Sequence, residues 1–411
     1  MAKLRLGTSY WLDRFTGSAP RFPRLRGRHT TDIAIVGGGI TGCVAAYLFA
    51  RAGARVVVID AARVGRGSTA ASTALLMQEP DVDFRDLASR YGTATAARIW
   101  RRSGAAVAGL TGLLRGLHVR AGLKSAPSIY WTCDSATATD LRRELVRRHA
   151  AGIGGRWLSP AALARATGID GAGAIVTTGN AQADPYRTTL GIALAATRAG
   201  VRLFEHSRAL RVAGSSAGVE IELEHGHLHA DWAVIATGYA TPEFTPLAAR
   251  FRMMNTYVIT TPPLTAGVRR AMGLGDVMLW DGERPYHYAR WTPDGRLFFG
   301  GEDRPRLPRA ARPAALHARA RRLSSHLAAL YPVLEGVEPE YAWEGLFAST
   351  PDGLPYVGRH RRYPRQLFAL GYGGNGMTFG YLAAQILVRD VMGTPGVDDG
   401  LFGFGRTRRS S

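Results

Sequence analysis

The feature that most constrains this chain is a glycine run set between two apolar strands. Residues 32–42 read DIAIVGGGITG, an apolar helix pattern follows, and a second strand at 56–59 ends in Asp60. This order predicts a strand, a tight glycine turn, a helix and a second strand closed by an acid. We therefore expect an α/β fold around this βαβ unit.

The glycine turn has the chemistry of a dinucleotide site. Gly37 permits the tight turn, Gly39 lets the backbone approach a pyrophosphate, and Gly42 lets the helix pack on the strand. The pyrophosphate would lie at the helix N-terminus, which favours negative charge. Asp60 follows Gly42 by 18 residues, close to the roughly 20 expected for an acid that hydrogen-bonds an adenosine ribose. We predict an adenine dinucleotide without a 2′-phosphate; the alternative is a glycine turn that binds no nucleotide.

Length and cysteine content limit the class of protein. At 411 residues the chain exceeds the roughly 250–300 residues beyond which a single core usually divides, so we expect two domains. The first 29 residues lack the apolar segment of a secretory signal, and no apolar run reaches the ~20 residues of a membrane span. Cys43 and Cys133 form neither a CxxC nor a zinc-ligand spacing. We expect no disulfide framework, no metal site and a reducing, cytoplasmic location.

The net charge of +20 favours anionic partners in general. The basic residues are almost all arginines scattered along alanine-rich helix patterns, with lysine at Lys3 and Lys124. We interpret the charge as a solvated surface and predict no specific nucleic-acid partner. A basic flavin- or nucleotide-containing binding protein that docks RNA or a membrane is the alternative from a different class.

Two downstream segments repeat the pattern of a strand followed by glycine. A buried strand ends in Ala236, Thr237 and Gly238, and an apolar strand at 366–370 precedes the glycine-rich opening of a last helix, 371–391. Such elements suit a cofactor longer than ADP. Further patterns predict helices over 84–117 and 139–150 and a strand at 128–132. Strands of a different sheet are predicted at 256–260, 286–291 and 296–300, the last two joined as a hairpin.

With these segments the chain resembles the D-amino acid oxidase-like family of FAD-dependent oxidoreductases, which includes glycine and sarcosine oxidases. The resemblance rests on residues 35–42, 67–73, 235–238, 345–358 and 371–378. It implies an α/β architecture, α+β overall, with a Rossmann-like FAD-binding domain built from discontinuous segments and a substrate domain whose antiparallel sheet covers the flavin. The implied limits are 1–30 for an N-terminal lead-in, 31–90, 151–245 and 340–405 for the FAD-binding domain, and 91–150 and 246–339 for the substrate domain.

The resemblance also implies which residues contact FAD. They are Gly37, Gly39, Ile40, Thr41 and Gly42 around the pyrophosphate, Asp60 at the ribose, Ser68 and Thr69 at the middle of the cofactor, Ala209 at the adenine, Ala236, Thr237 and Gly238, and Gly374, Asn375, Gly376 and Met377 at the pyrimidine end of the flavin. A helix N-terminus at that end stabilises the negative charge of the reduced flavin. The segments that begin at Gly65 and Gly371 contain neither Cys nor His, so we expect non-covalent FAD.

In this family the flavin takes a hydride at N5 from a carbon next to nitrogen, giving an imine that water hydrolyses. The protein then mainly positions the substrate, which we expect to be a small amine or amino acid, and O2 or another acceptor reoxidises the flavin. Candidates for substrate contact are Tyr286, Tyr288 and Arg290, which strand alternation places on one face, with His287 on the other. An aromatic sheet face packed on the core is the alternative.

Departures from the family narrow the substrate class. Relatives that oxidise amino acids often carry an arginine where this chain reads Leu346-Phe347-Ala348-Ser349. An amine without an α-carboxylate is therefore favoured unless Arg290 substitutes. No lysine is placed to activate oxygen, so oxidase and dehydrogenase both stay open. An FAD-dependent hydroxylase is a lower-ranked alternative, since such enzymes resemble one another in a Gly-Asp pair where this chain has Gly374-Asn375.

Overall fold

The computed structural model describes residues 4–283 and 285–406. In chain order the strands are β1 Arg5–Leu6, β2 Gly27–Val36, β3 Val56–Ile59, β4 Leu75–Leu76, β5 Lys124–Ser125, β6 Ser128–Thr132, β7 Arg156–Leu158, β8 Gly173–Thr177, β9 Ala181–Gln182, β10 Arg202–Phe204, β11 Ala209–Gly214, β12 Val219–Leu223, β13 Gly226–Gly238, β14 Arg252–Thr260, β15 Met278–Asp281, β16 His287–Trp291, β17 Leu297–Pro305, β18 Tyr341–Ser349, β19 Tyr356–His360 and β20 Tyr363–Leu370. The helices are α1 Tyr10–Asp13, α2 Ile40–Arg51, α3 Ser68–Ala71, α4 Phe84–Tyr91, α5 Thr93–Gly116, α6 Ser135–Ala150, α7 Pro160–Thr167, α8 Pro185–Arg198, α9 Thr245–Ala248, α10 Ala266–Met272, α11 Arg312–Leu330 and α12 Gly376–Val391.

An eight-stranded sheet contains the glycine turn. Its strand order is β10-β3-β2-β13-β12-β11, with β20 beside β13 and β19 beside β20. Strands β10, β3, β2, β13 and β20 are mutually parallel. The four residues of β3 are Val and Ile and are all buried, as expected for a parallel strand covered on both faces. Helices α2, α8 and α12 pack next to one another beside this sheet.

A nine-stranded sheet supplies the second layer. Its order is β1-β18-β14-β17-β16-β15-β6-β8-β7, and its pairs are antiparallel except β1–β18 and β15–β6. The predicted hairpin is confirmed, because β16 and β17 pair in antiparallel fashion across residues 292–296. A small sheet, β4-β9-β5, completes the strands. The expected fold class, a Rossmann-like sheet with a mainly antiparallel second sheet, is confirmed.

Two stretches pair differently from the sequence-based domain limits. Strands β7 and β8, within 151–245, and β18, within 340–405, lie in the nine-stranded sheet, whereas those limits place them with the FAD-binding segments. An apolar pattern identifies a strand and its faces, but it carries no information about which neighbour the strand pairs with. The limits themselves stay a prediction.

Two further differences concern helices and termini. The helix predicted over 84–117 is two helices, broken at Gly92 where φ is 83°. The N-terminal lead-in is part of the core, because Tyr10 and Trp11 are buried and both rings pack edge-on against Phe298. Over the described ranges, no helix is both long enough and apolar enough to cross a bilayer.

Candidate functional site

The carboxyl ends of the parallel strands meet at one edge of the eight-stranded sheet. Gly37 follows β2, Asp60 follows β3, Gly238 ends β13 and Gly371 follows β20. The Gly37 N–H donates to the Ile59 carbonyl at 2.8 Å, and the Gly371 N–H donates to the Gly238 carbonyl at 2.9 Å. Ligands of open parallel sheets bind at this edge. The topology therefore brings together the predicted cofactor segments, which are far apart in sequence.

Two glycines are required here by close backbone approach. A Cβ on Gly42 would lie 1.9 Å from the Gly37 carbonyl oxygen. One on Gly37, where φ is 111°, would lie 2.7 Å from the Ala236 carbonyl oxygen. Helix α2 begins directly after Gly39, which as its N-cap residue supplies no side-chain acceptor. Because the first N–H groups of a helix lack intrahelical acceptors, this end suits a phosphate anion.

Asp60 closes the turn from the neighbouring strand. The Gly38 N–H donates to Asp60 Oδ2 at 2.8 Å and the Ala62 N–H donates to Oδ1 at 2.7 Å. Burial raises the pKa of Asp60, while these two N–H groups act in the opposite direction. A carboxylate has about four acceptor positions, so acceptor capacity remains for ribose hydroxyls.

Helix α3 links the two sheets where the middle of the cofactor is predicted. Thr69 Oγ1 accepts from the Ile40 N–H at 3.1 Å, and the Ser68 hydroxyl donates to the Leu346 carbonyl at 2.7 Å. Ala209 is the first residue of β11. Two residues before it the chain is held beside Asp60, because the N–H groups of residues 206 and 207 donate to the carbonyls of residues 62 and 60. The chain before Ala209 thus runs beside Asp60, and its contact with adenine stays a prediction.

The last helix presents its N-terminus to the same region. Asn375 is the N-cap residue of α12 but makes no side-chain cap. Its amide instead donates to the Glu79 carbonyl at 2.7 Å and to Asp81 Oδ1 at 3.0 Å, and the Gly374 N–H donates to Asp81 Oδ2. The first-turn N–H groups of Gly376 and Met377 are therefore not capped by this side chain, which fits the predicted contact with an electron-rich flavin edge.

Tyr286 and Tyr288 lie at this helix end. Their ring centroids are 6.0 Å apart, and a Cβ on Gly374 would be 3.0 Å from the Tyr286 hydroxyl. The Tyr288 hydroxyl lies 3.3 Å from Thr256 Oγ1 and also hydrogen-bonds to Thr73. Burial raises the pKa of Tyr288, so this hydroxyl keeps its proton.

Arg290 lies in the interior, away from Tyr286 and Tyr288. Its side chain is buried, Nη2 donates to the Ala183 carbonyl at 2.8 Å, and the guanidinium lies 5.2 Å from the Trp11 ring centroid and 5.5 Å from that of Phe298. The structure thus brings two of the three predicted substrate contacts together and leaves Arg290 apart. His287 packs against Phe299 and lies 3.0 Å from Asp281 through Nδ1.

Two acids that no sequence motif indicated complete the region. Asp81 is exposed to solvent on one side, yet desolvation by the surrounding protein raises its pKa to about 7. The Gly374 N–H acts against this rise, and the charge of Asp303 adds to it. Burial raises the pKa of Asp303 to about 6, and the Thr256 hydroxyl hydrogen-bonds to it. Asp303 Oδ1 has no hydrogen-bond partner among the described residues. Asp81 and Asp303 are distant in sequence, so the fold alone reveals their proximity.

The family model described as FAD dependent oxidoreductase matches residues 32–389 of this chain. The chain belongs to that family. It is 26% identical over 391 residues to a probable oxidoreductase OrdL of Rhizobium meliloti, covering 93% of this chain and 88% of the relative. It is 25% identical over 399 residues to the gamma-glutamylputrescine oxidoreductase of Escherichia coli, covering 94% and 89%. The crystal structure of glycine oxidase from Geobacillus kaustophilus has the same fold, with a TM-score of 0.77 at 22% identity over 93% of this chain and 100% of that one.

Family membership makes the chain an FAD-dependent oxidoreductase, as the resemblance implied. The residues present fit the cofactor: a glycine cradle, two helix N-termini whose own N-cap residues make no side-chain cap, and an acid beside the first of them. The alternative of a non-enzymatic binding protein is set aside. The individual FAD contacts stay predictions, supported by their convergence at one sheet edge.

Proposed function

We propose that this chain oxidises the C–N bond of a cationic amine that lacks an α-carboxylate. The observation that carries the proposal is the acid pair Asp81 and Asp303 beside Tyr286 and Tyr288. An ammonium group is attracted to such carboxylates, whereas a substrate carboxylate would be repelled by them. Relatives are named for gamma-glutamylputrescine and for glycine, and both compounds contain an amino group, which supports oxidation at a C–N bond.

The strand that would carry a carboxylate-binding arginine supports the same choice. Phe347 occupies that place in β18, opposite Met254 of β14, and Arg290 is sequestered under Trp11. A neutral aromatic side chain cannot form the paired, charge-assisted hydrogen bonds with which arginine holds a carboxylate. An amine therefore fits this region better than an amino acid.

Each residue of the region has a distinct role in the proposed reaction. When bound, FAD supplies the hydride acceptor for the carbon next to nitrogen. Asp81 and Asp303 hold the ammonium, and Asp81, with a pKa of about 7, takes up its proton so that the nitrogen lone pair becomes free. Tyr288 and Thr256, joined at 3.3 Å, orient the substrate against the helix end.

The test compares two compounds that differ by one carboxylate, putrescine and ornithine. With FAD-loaded protein under anaerobic conditions, putrescine should bleach the flavin absorbance at about a tenfold lower concentration than ornithine. Asp303→Asn should raise the putrescine concentration required, because one carboxylate is lost. Asp140→Asn, which changes a half-exposed acid of α6, is the matched control and should leave that concentration unchanged. Equal or better bleaching by ornithine would reject the proposed substrate class.

A further inference from the structure

A cavity of about 1170 Å³ lies away from the glycine turn at residues 37–42. Its walls come from α1, from the segment before β5, from the start of α8, from α10 and from the β16–β17 hairpin. Trp11 forms part of the wall and donates through Nε1 to the Ser72 carbonyl at 2.8 Å. Helix α1 therefore separates this cavity from the segment that follows α3. The volume is of the size that small-molecule sites have.

The lining is strongly basic. Among its described residues are seven cationic side chains, Arg14, Arg120, Lys124, Arg187, Arg269, Arg270 and Arg290, against three acids, Asp184, Asp276 and Asp294. Each acid is already engaged: Asp276 with Lys124, Asp184 with Arg187, and Asp294 with Arg296 and Arg14. Among the described residues, Arg120, Arg269 and Arg270 enter no such ion pair. The cavity thus carries uncompensated positive charge.

Arg290 is the clearest sign that this charge is directed at a ligand. Arg290 is 2% exposed. Its Nη2 donates to the Ala183 carbonyl, and its Nε has no hydrogen-bond partner among the described residues. A buried cation without a full set of acceptors is costly, and burial lowers the pKa of Arg290 to about 9 although Asp184 acts in the opposite direction. Arg290 is part of the cavity wall, so an anion in the cavity would favour its charged form.

We propose that this cavity binds a small-molecule anion carrying two or more phosphate or carboxylate groups. Arg290 is the buried contact, and Arg269 and Arg270, both exposed on α10, are the contacts at the mouth. The planar guanidinium group matches both kinds of oxyanion. This site is separate from FAD and does not rest on the proposed amine substrate.

Calorimetric titration of the FAD-loaded full-length chain tests the proposal, with pyrophosphate and citrate as the two probes in about 0.15 M salt. Loading with FAD keeps pyrophosphate out of the cofactor's own cradle, and the flavin spectrum reports that FAD stays bound. The wild type should bind at least one probe saturably with one ion per chain. The tighter probe identifies phosphate or carboxylate as the preferred group.

Substitutions distinguish a specific anion-binding site from a generally basic surface. Arg269→Gln/Arg270→Gln should weaken binding by about tenfold or more, and Arg290→Gln should do the same. The matched control, Arg361→Gln/Arg362→Gln, removes an equal charge from an exposed turn between β19 and β20 and should change affinity by less than about twofold. Because the α10 pair is exposed, its variant keeps the test valid if Arg290→Gln does not fold. Absence of saturable binding, or equal weakening by both double variants, would overturn the proposal.

Discussion

Gly42 and Asp81 contribute to the predicted cofactor site by opposite means, Gly42 through the absence of a side chain and Asp81 through a charge. Gly42 leaves room for the Gly37 carbonyl at a position where a Cβ would be 1.9 Å away. Asp81 brings a carboxylate to the N-terminal end of α12, where it accepts from Gly374 and Asn375. Gly42 belongs to a contiguous motif and was predictable. Asp81 was not, because its partners are nearly 300 residues away in sequence.

Gly42→Ala should destabilise the protein and weaken FAD binding. The added methyl group forces the start of α2 away from β2, and overpacking of this kind costs about 1–3 kcal/mol. Thermal unfolding and FAD stoichiometry measure the two effects. Gly112→Ala, in α5, should instead stabilise the protein by up to about 1 kcal/mol, because outside the helix's own backbone no described atom lies within 4 Å of the new Cβ. Full FAD occupancy and unchanged stability of Gly42→Ala would contradict the close-approach argument.

The acid pair predicts a pH dependence of substrate affinity. The pKa values of about 7 for Asp81 and about 6 for Asp303 mean that negative charge develops as the pH rises through this range. The KM for a cationic amine should therefore fall between pH of about 6 and 8. Steady-state kinetics measure the profile. Asp81→Asn should flatten its upper part, and an unchanged profile in that variant would exclude Asp81 from substrate binding.

At the scale of elements, sequence patterns predict individual strands and turns but not which distant segments pack together. Strands β2, β3 and β6 and the β16–β17 hairpin were predictable, because alternation, apolar runs and turn residues are local. The pairing of β7, β8 and β18 in the nine-stranded sheet was not, since it depends on contacts between distant segments. The packing of α1 also depends on contacts between distant segments. Its four residues connect Phe298 of the nine-stranded sheet to the backbone after α3.

Trp11→Ala should therefore lower the free energy of unfolding of the whole protein and not only disorder the N-terminus. The residue is 4% exposed, and removal of a buried tryptophan side chain costs about 3–5 kcal/mol. Denaturant unfolding of the FAD-loaded protein measures the loss. Val397→Ala, at a position 94% exposed, should change stability by no more than about 0.5 kcal/mol. If both variants unfold at the same denaturant concentration as the wild type, α1 does not support the fold.

At the scale of the whole molecule, the predicted cofactor segments extend from Gly37 to Met377 and are brought together at one edge of the eight-stranded sheet. A ligand held by segments so far apart stabilises the folded chain as a unit. Added FAD should raise the unfolding temperature of the apoprotein progressively, with about 2.7 kcal/mol of stabilisation when free FAD is 100 times its dissociation constant. Differential scanning calorimetry at several FAD concentrations measures this, and a concentration-independent unfolding temperature would contradict it.

A single stopped-flow experiment tests most directly whether the chain is an FAD enzyme that takes hydride from the carbon beside the nitrogen of an amine without an α-carboxylate. FAD-loaded protein is mixed anaerobically with putrescine or with putrescine deuterated at the carbons next to nitrogen, and flavin absorbance is followed. We predict bleaching by both compounds, slower with the deuterated one because the C–H bond breaks in that step. An absence of bleaching by putrescine, combined with bleaching by amino acids, would contradict the account.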